Sequence, residues 1–132
     1  SQLKKFPEIM KKRAHMAHRY TDAFINDANI IPPFVPIGYT HAFQSYMVRI
    51  RNGSPIRSKL MQLLLDDGIA TRVGIVPAHL EKPYKNLYPH LSLPITERVA
   101  SECLTIPLFA QLTLKEQSYV IKQLHTHLAA LI

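Results

Sequence analysis

The chain has no tryptophan and a single cysteine, Cys103. One thiol cannot close an internal disulfide, and there is no paired-cysteine spacing for zinc, so a disulfide scaffold and a cysteine-based zinc module are both excluded. No apolar run approaches the roughly 20 residues of a membrane-crossing helix, and no charged-then-apolar segment opens the chain as a secretory signal would. The expected location is the cytoplasm, with no membrane partner. Acidic residues are also scarce: nine Asp and Glu face sixteen Lys and Arg, a formal charge of +7. Such a balance attracts an anion, whether nucleic acid, a phosphorylated metabolite or an acidic partner. Internal repeats, low-complexity tracts and an initiator methionine are absent too. With only Ser1 available to cap a first helix already under way, the chain is expected to be part of something larger.

What is present suits one compact domain. The 132 residues are 47% hydrophobic and 19% charged, enough to bury a core without staples and too apolar for a disordered tail. From Leu3 to Ile25, Leu3, Phe6, Met10, Ala17, Tyr20 and Phe24 recur at spacings of three, four and seven, the stripe of an amphipathic helix. Pro7 either kinks that helix or sits in its first turn. Six of the sixteen basic residues (Lys4, Lys5, Lys11, Lys12, Arg13 and Arg19) fall on it.

"NIIPPFVPIGY", Asn29 to Tyr39, reads as an extended connector because of its three prolines. In "SYMVRIR" the residues Tyr46, Val48 and Ile50 alternate with Met47, Arg49 and Arg51, the period of a strand with one buried face. Ser54 as N-cap, Pro55 in the first turn, the stripe Ile56, Leu60, Leu63 and Leu64, and Gly68 as terminator predict the next helix. "IATRVGIV", Ile69 to Val76, predicts a second strand, and the proline-rich "PAHLEKPYKNLYPHLSLP" a structured loop with one helical turn. A short helix over Pro94 to Glu102 and a third strand in "CLTIPLF" follow. Thr113 and Glu116 form a capping box for the last helix, with Val120, Ile121, Leu124, Leu128 and Leu131 facing inward. The fold class is therefore α/β of the α+β-like kind: a short, mostly antiparallel three-stranded sheet with helices packed on one face.

Three blocks carry a resemblance: "HAFQSYMVRIR", "LLLDDGIATRVGIVPAHLEKPYKNL" and "LPITERVASECLTIPLFAQLTLKEQSYVIKQL". In this order and spacing they resemble the C-terminal domain of the pyridoxal-phosphate-dependent nucleotide-sugar aminotransferases of the DegT/DnrJ/EryC1/StrS family, over about His41 to Leu124. The resemblance implies a fold type I enzyme: a large cofactor-binding domain upstream, residues 1–28 as a linking helix, and residues 29–132 as the small domain that closes over the active site. It further implies a homodimer, pyridoxal phosphate in the whole protein, an amino-acid donor and a keto-sugar nucleotide as acceptor. The Schiff-base lysine and its acidic partner belong to the upstream domain, so no cofactor is expected on this fragment and the fragment alone is expected to be inactive. His41, Tyr46, His79 and Tyr84 align with the family's histidine and tyrosine pairs and are the candidate substrate-binding residues. Departures are Gly74 and Ile75, where many members carry His-Tyr, and Gln44 and Phe109, where histidine is common.

Simpler roles stand beside these. His41 suits a hydrogen-bonded residue orienting the entry to its strand, and Cys103 a small core side chain. His15 and His18 lie three apart on a helix with no third metal ligand, while His125 and His127 point in divergent directions. The competing functional class is a non-catalytic basic binding or regulatory domain for nucleic acid or a protein partner. Against nucleic acid, the basic run has no interleaved aromatics and no recognition-helix pattern.

Overall fold

The computed structural model describes residues 2–132, and of Gln2 the backbone alone; Ser1, the proposed cap of the first helix, lies outside the described residues. In chain order the elements are α1 (Gln2–Phe24), β1 (Ile30–Ile31), β2 (Tyr46–Ile50), α2 (Ser54–Asp66), β3 (Arg72–Val73), a 3-10 turn (Ala78–Leu80), α3 (Lys82–Leu87), α4 (Pro94–Glu102), β4 (Cys103–Ile106) and α5 (Leu114–Leu131). The strands form one antiparallel sheet in the order β1-β2-β4-β3. Its class is the one expected, with a fourth strand added. That strand, β1, comes from the connector: Asp27 Oδ1 accepts the N–H groups of Asn29 at 2.7 Å and Ile30 at 3.0 Å, turning the chain so that Ile30 pairs with Ile50. Pro32 and Pro33 lack the N–H a ladder needs, and β1 stops after two residues.

Along β2 the alternation holds: Tyr46, Val48 and Ile50 are buried, Met47 and Arg49 half-buried. The buried set joins Leu104 and Ile106 of β4, Ala17, Tyr20 and Phe24 of α1, Leu60 and Leu64 of α2, and Val120, Leu124 and Leu128 of α5 in one core. Only the second half of the α1 stripe takes part. Leu3 is 81% exposed and Phe6 55%, and Pro7 lies inside α1, not at its first turn.

The α2 boundaries differ from expectation at one end. Gly53, not Ser54, is the N-cap, because Asn52 and Gly53 both take φ of 70° and the left-handed pair swings the chain into the helix one residue early. At the other end Gly68, with φ of 76°, bonds its N–H to the Leu65 carbonyl at 2.9 Å while Ile69 bonds to that of Leu64 at 2.7 Å. This is a Schellman stop, and it needs the glycine. The segment Ile69–Val76 gives only two paired residues, and Gly74 beyond them runs directly against the sheet: a Cβ there would collide with Met47 Sδ and lie 2.9 Å from Cys103 Cβ. The α5 capping box forms as expected, Glu116 N–H to Thr113 Oγ1 at 3.2 Å and Thr113 N–H to Glu116 Oε2 at 2.8 Å.

Candidate functional site

The chain enters β2 through a strained turn. Phe43 has φ of 44°, a left-handed conformation unfavourable for a bulky side chain, and such strain persists only where surrounding contacts impose it. Arg13 on α1 donates from Nη1 to the carbonyls of Phe43 at 3.2 Å and Gln44 at 2.6 Å. The Phe43 N–H donates to His41 Nδ1 at 2.9 Å, and the two rings lie 4.4 Å apart. Tyr46 lies beneath, fully buried against Tyr20 and Phe43, with its hydroxyl 2.8 Å from Thr21 Oγ1. Burial pushes its phenol up to about 12 against the pull of the Thr21 hydrogen bond, so Tyr46 is a neutral, enclosed donor or acceptor. Above the turn opens a cleft of about 520 Å³ walled by Phe43, His18 and Asp22 of α1, Pro32 and Phe34 of the connector, and Arg51.

A second group lies between β3 and α4. His79, in the 3-10 turn and only 9% exposed, donates from Nε2 to Glu97 Oε1 at 2.9 Å. The same oxygen accepts the Leu93 N–H at 2.8 Å. That backbone donor first, and His79 second, hold the Glu97 carboxyl below the usual carboxylate range. Tyr84 projects from α3 into solvent amid exposed Leu80, Leu87 and Tyr88. Among the described residues no hydrogen bond or shared cleft joins His41 and Tyr46 to His79 and Tyr84. The four candidates therefore occupy two places on this chain.

The remaining polar residues fall into structural roles. His15 and His18 are exposed on α1, and no group of three His, Cys, Asp or Glu among the described residues is arranged to hold a metal. His125 Nε2 lies 3.2 Å from Asp27 Oδ2 and His127 Nε2 lies 2.6 Å from Asp67 Oδ2, so the two rings address different elements. Cys103 is buried, which pushes its thiol up, the wrong direction for a nucleophile. The basic run is not a uniform outer face either. Arg13 turns to the Phe43 turn, and Arg19 donates to the Leu114 carbonyl at 2.9 Å, Gln117 Oε1 at 3.1 Å and Ser118 Oγ at 2.6 Å.

Sequence reasoning passed over Arg13, Phe43 and Glu97. Glu97 carried a signal, an acid in the first turn of a proline-initiated helix. Phe43 carried none, since an aromatic residue is the last type expected at positive φ.

Residues 1–125 match the model of the DegT/DnrJ/EryC1/StrS aminotransferase family. The chain belongs to this family. It is 32% identical over 124 residues to a pleiotropic regulatory protein of Geobacillus stearothermophilus, covering 92% of this chain and 32% of that protein. Among solved structures it resembles the aminotransferase TlmJ from Streptoalloteichus hindustanus, with 31% identity and a TM-score of 0.88 over 98% of this chain and 34% of that one. It also resembles NtdA from Bacillus subtilis, solved with bound cofactor PMP, at 26% identity and a TM-score of 0.79 over 92% of this chain and 28% of that one. The chain thus spans about a third of the length of these relatives. All nine of its lysines are exposed to solvent. No helix among the described residues is long and apolar enough to cross a membrane.

Proposed function

We propose that this chain is the small domain of a pyridoxal-phosphate-dependent aminotransferase that passes an amino group from an amino-acid donor to a keto-sugar nucleotide in amino-sugar or surface-polysaccharide synthesis. The observation that carries the reading is the family match over residues 1–125, on a chain a third the length of its relatives. In this reading a large domain upstream supplies the Schiff-base lysine, the enzyme is a cytoplasmic homodimer, and the fragment alone is inactive. The lysines support it. A Schiff-base lysine must present its amine inside a water-poor site with the cofactor held around it, and nine exposed lysines do not meet that requirement. Residues of this chain do not fit the cofactor on their own. The uncovered Leu3 and Phe6 on α1 also suit a stripe that continues onto a neighbouring domain.

The chain's own contribution is then positional. His41 fixes the Phe43 turn at the rim of the 520 Å³ cleft, and Tyr46 supports that turn from below through Thr21. His79 holds the segment that presents Tyr84 through its bond to Glu97. The four are proposed to border the substrate when the larger domain completes the pocket.

Extending the polypeptide through its natural upstream coding sequence, adding pyridoxal phosphate, reducing with borohydride and locating the modified peptide by mass tests this reading. A single labelled lysine upstream of Ser1 is expected. A label on any of the nine lysines here, or none at all, overturns it.

A further inference from the structure

One end of the sheet carries a continuous uncovered apolar surface. Tyr46 pairs with Ile106 and Arg72 with Thr105, so the start of β2, the end of β4 and the start of β3 lie together there. Arg13 reaches the Phe43 and Gln44 carbonyls at that end, whereas Phe24 leads into Asp27 and the Ile30–Ile50 pair at the other. Residues 2–12 of α1 therefore overhang the first end, by about 16 Å at the rise of an α-helix. Leu3 and Phe6 on this overhang are exposed.

A groove of about 840 Å³ opens at the same end. Ile69, Leu112 and Val120 are buried at its floor, Pro107 lines it, and Phe109 and Tyr119 stand 42% and 44% exposed at its sides. The residues between Phe109 and Leu112, Ala110 and Gln111, wall a second cleft with Lys5, Ile9 and Lys12 of α1. One loop thus joins the groove to the overhang, which distinguishes this surface from apolar side chains scattered singly. Its charged border is of one sign. Lys4, Lys5, Lys11 and Lys115 form no ion pair among the described residues, while Glu8 is taken by Lys12 at 2.8 Å and Glu116 by the Thr113 cap.

We propose that this end is the docking face for the part of the same polypeptide that precedes α1, which meets it with apolar side chains set among carboxylates. For the existence of that part this rests on the aminotransferase reading, supported by relatives about three times as long as this chain. Its place follows from α1, whose first residues lie at this end and not the other. A domain tethered there faces the groove at an effective concentration no free partner matches. A second copy of the chain would bring the same unpaired lysines to the border, and like charges oppose that pairing.

Hydrogen exchange of the polypeptide extended through its natural upstream coding sequence, compared with that of the 132-residue chain, tests the docking face. The amides of Ala110 and Gln111 should exchange roughly tenfold slower or more in the extended protein, independent of its concentration. These two decide, since merely lengthening α1 would protect only its own first turns. Phe109→Glu in the extended protein should return their exchange several-fold toward that of the short chain. Lys115→Glu should do the same through the border, and a glutamate in the first turn of α5 suits the helix, so this variant tests the face even if the first does not fold. Equal exchange in the two proteins, or protection untouched by Lys115→Glu, overturns the proposal. Protection that appears in the 132-residue chain as its concentration rises assigns the face to a second copy and overturns it too. Borohydride labelling of the same extended protein separates the two readings. A labelled upstream lysine with Ala110 and Gln111 unprotected overturns the docking face alone, and protection without a label overturns the aminotransferase reading alone.

Discussion

Asp67, the residue that closes α2, and His127, on the last turns of α5, are joined by a 2.6 Å hydrogen bond from Nε2 to Oδ2 across sixty positions of sequence. Gln123 donates to the same oxygen, and the Tyr119 hydroxyl reaches the Asp67 carbonyl at 3.3 Å. One residue, through its carboxylate and its backbone carbonyl, thus fastens the Schellman stop of α2 to one face of α5.

This fastening has a pH signature. The hydrogen bonds from His127 and then Gln123 hold the Asp67 carboxyl below its ordinary value of 3.8. A carboxyl depressed in the folded state stabilises above its unfolded value and loses that contribution as pH falls through the folded one. Asp67→Asn should therefore lower the melting temperature at neutral pH and lose its effect at pH values below the ordinary carboxylate range. Thermal melts of both proteins across that range check it; an equal difference at acid and neutral pH would contradict it.

Gly74 and Met47 form a second testable pair. Gly74→Ala brings a methyl into the space of the Met47 thioether and against Cys103 Cβ. The expected cost is about 1–3 kcal/mol, as for other overpacked interiors. Because the thioether end is mobile and the Cys103 Cβ is not, adding Met47→Ala should recover part of the loss. A denaturant double-mutant cycle with strictly additive terms would rule out the contact as the cause.

The capping box of α5 predicts a smaller effect. Thr113→Ala removes the acceptor for the Glu116 N–H and should cost about 1 kcal/mol. Thr113→Ser should restore most of it, measured by chemical denaturation.

Arg13 should matter locally. Replacing it with methionine frees the Phe43 and Gln44 carbonyls and leaves the left-handed Phe43 with one fewer restraint. Faster amide hydrogen exchange is expected across residues 41–45, with α5 unchanged. Uniform acceleration over the whole chain would show instead that Arg13 supports global stability.

Elements driven by local pattern were readable: the β2 alternation, the Thr113 and Glu116 cap and the Gly68 stop are each specified within a few residues. What was not readable depends on distant partners. β1 exists because Ile50 happens to be its neighbour, and the glycine at position 74 is required by Met47, which comes from another strand. The candidate histidines and tyrosines could be named from sequence. That Tyr46 spends its hydroxyl on Thr21, and His79 its ring nitrogen on Glu97, required the fold.

The outer strands of the sheet, β1 and β3, are two residues each. A foreign strand recruits through a row of free backbone donors and acceptors, and two-residue rims present almost none. Proline follows one rim directly, and Arg72 occupies the other. The sheet is therefore terminated on both sides, and when the chain is handled apart from any partner its self-association should proceed through exposed apolar side chains, giving amorphous and reversible clusters, not ordered fibres.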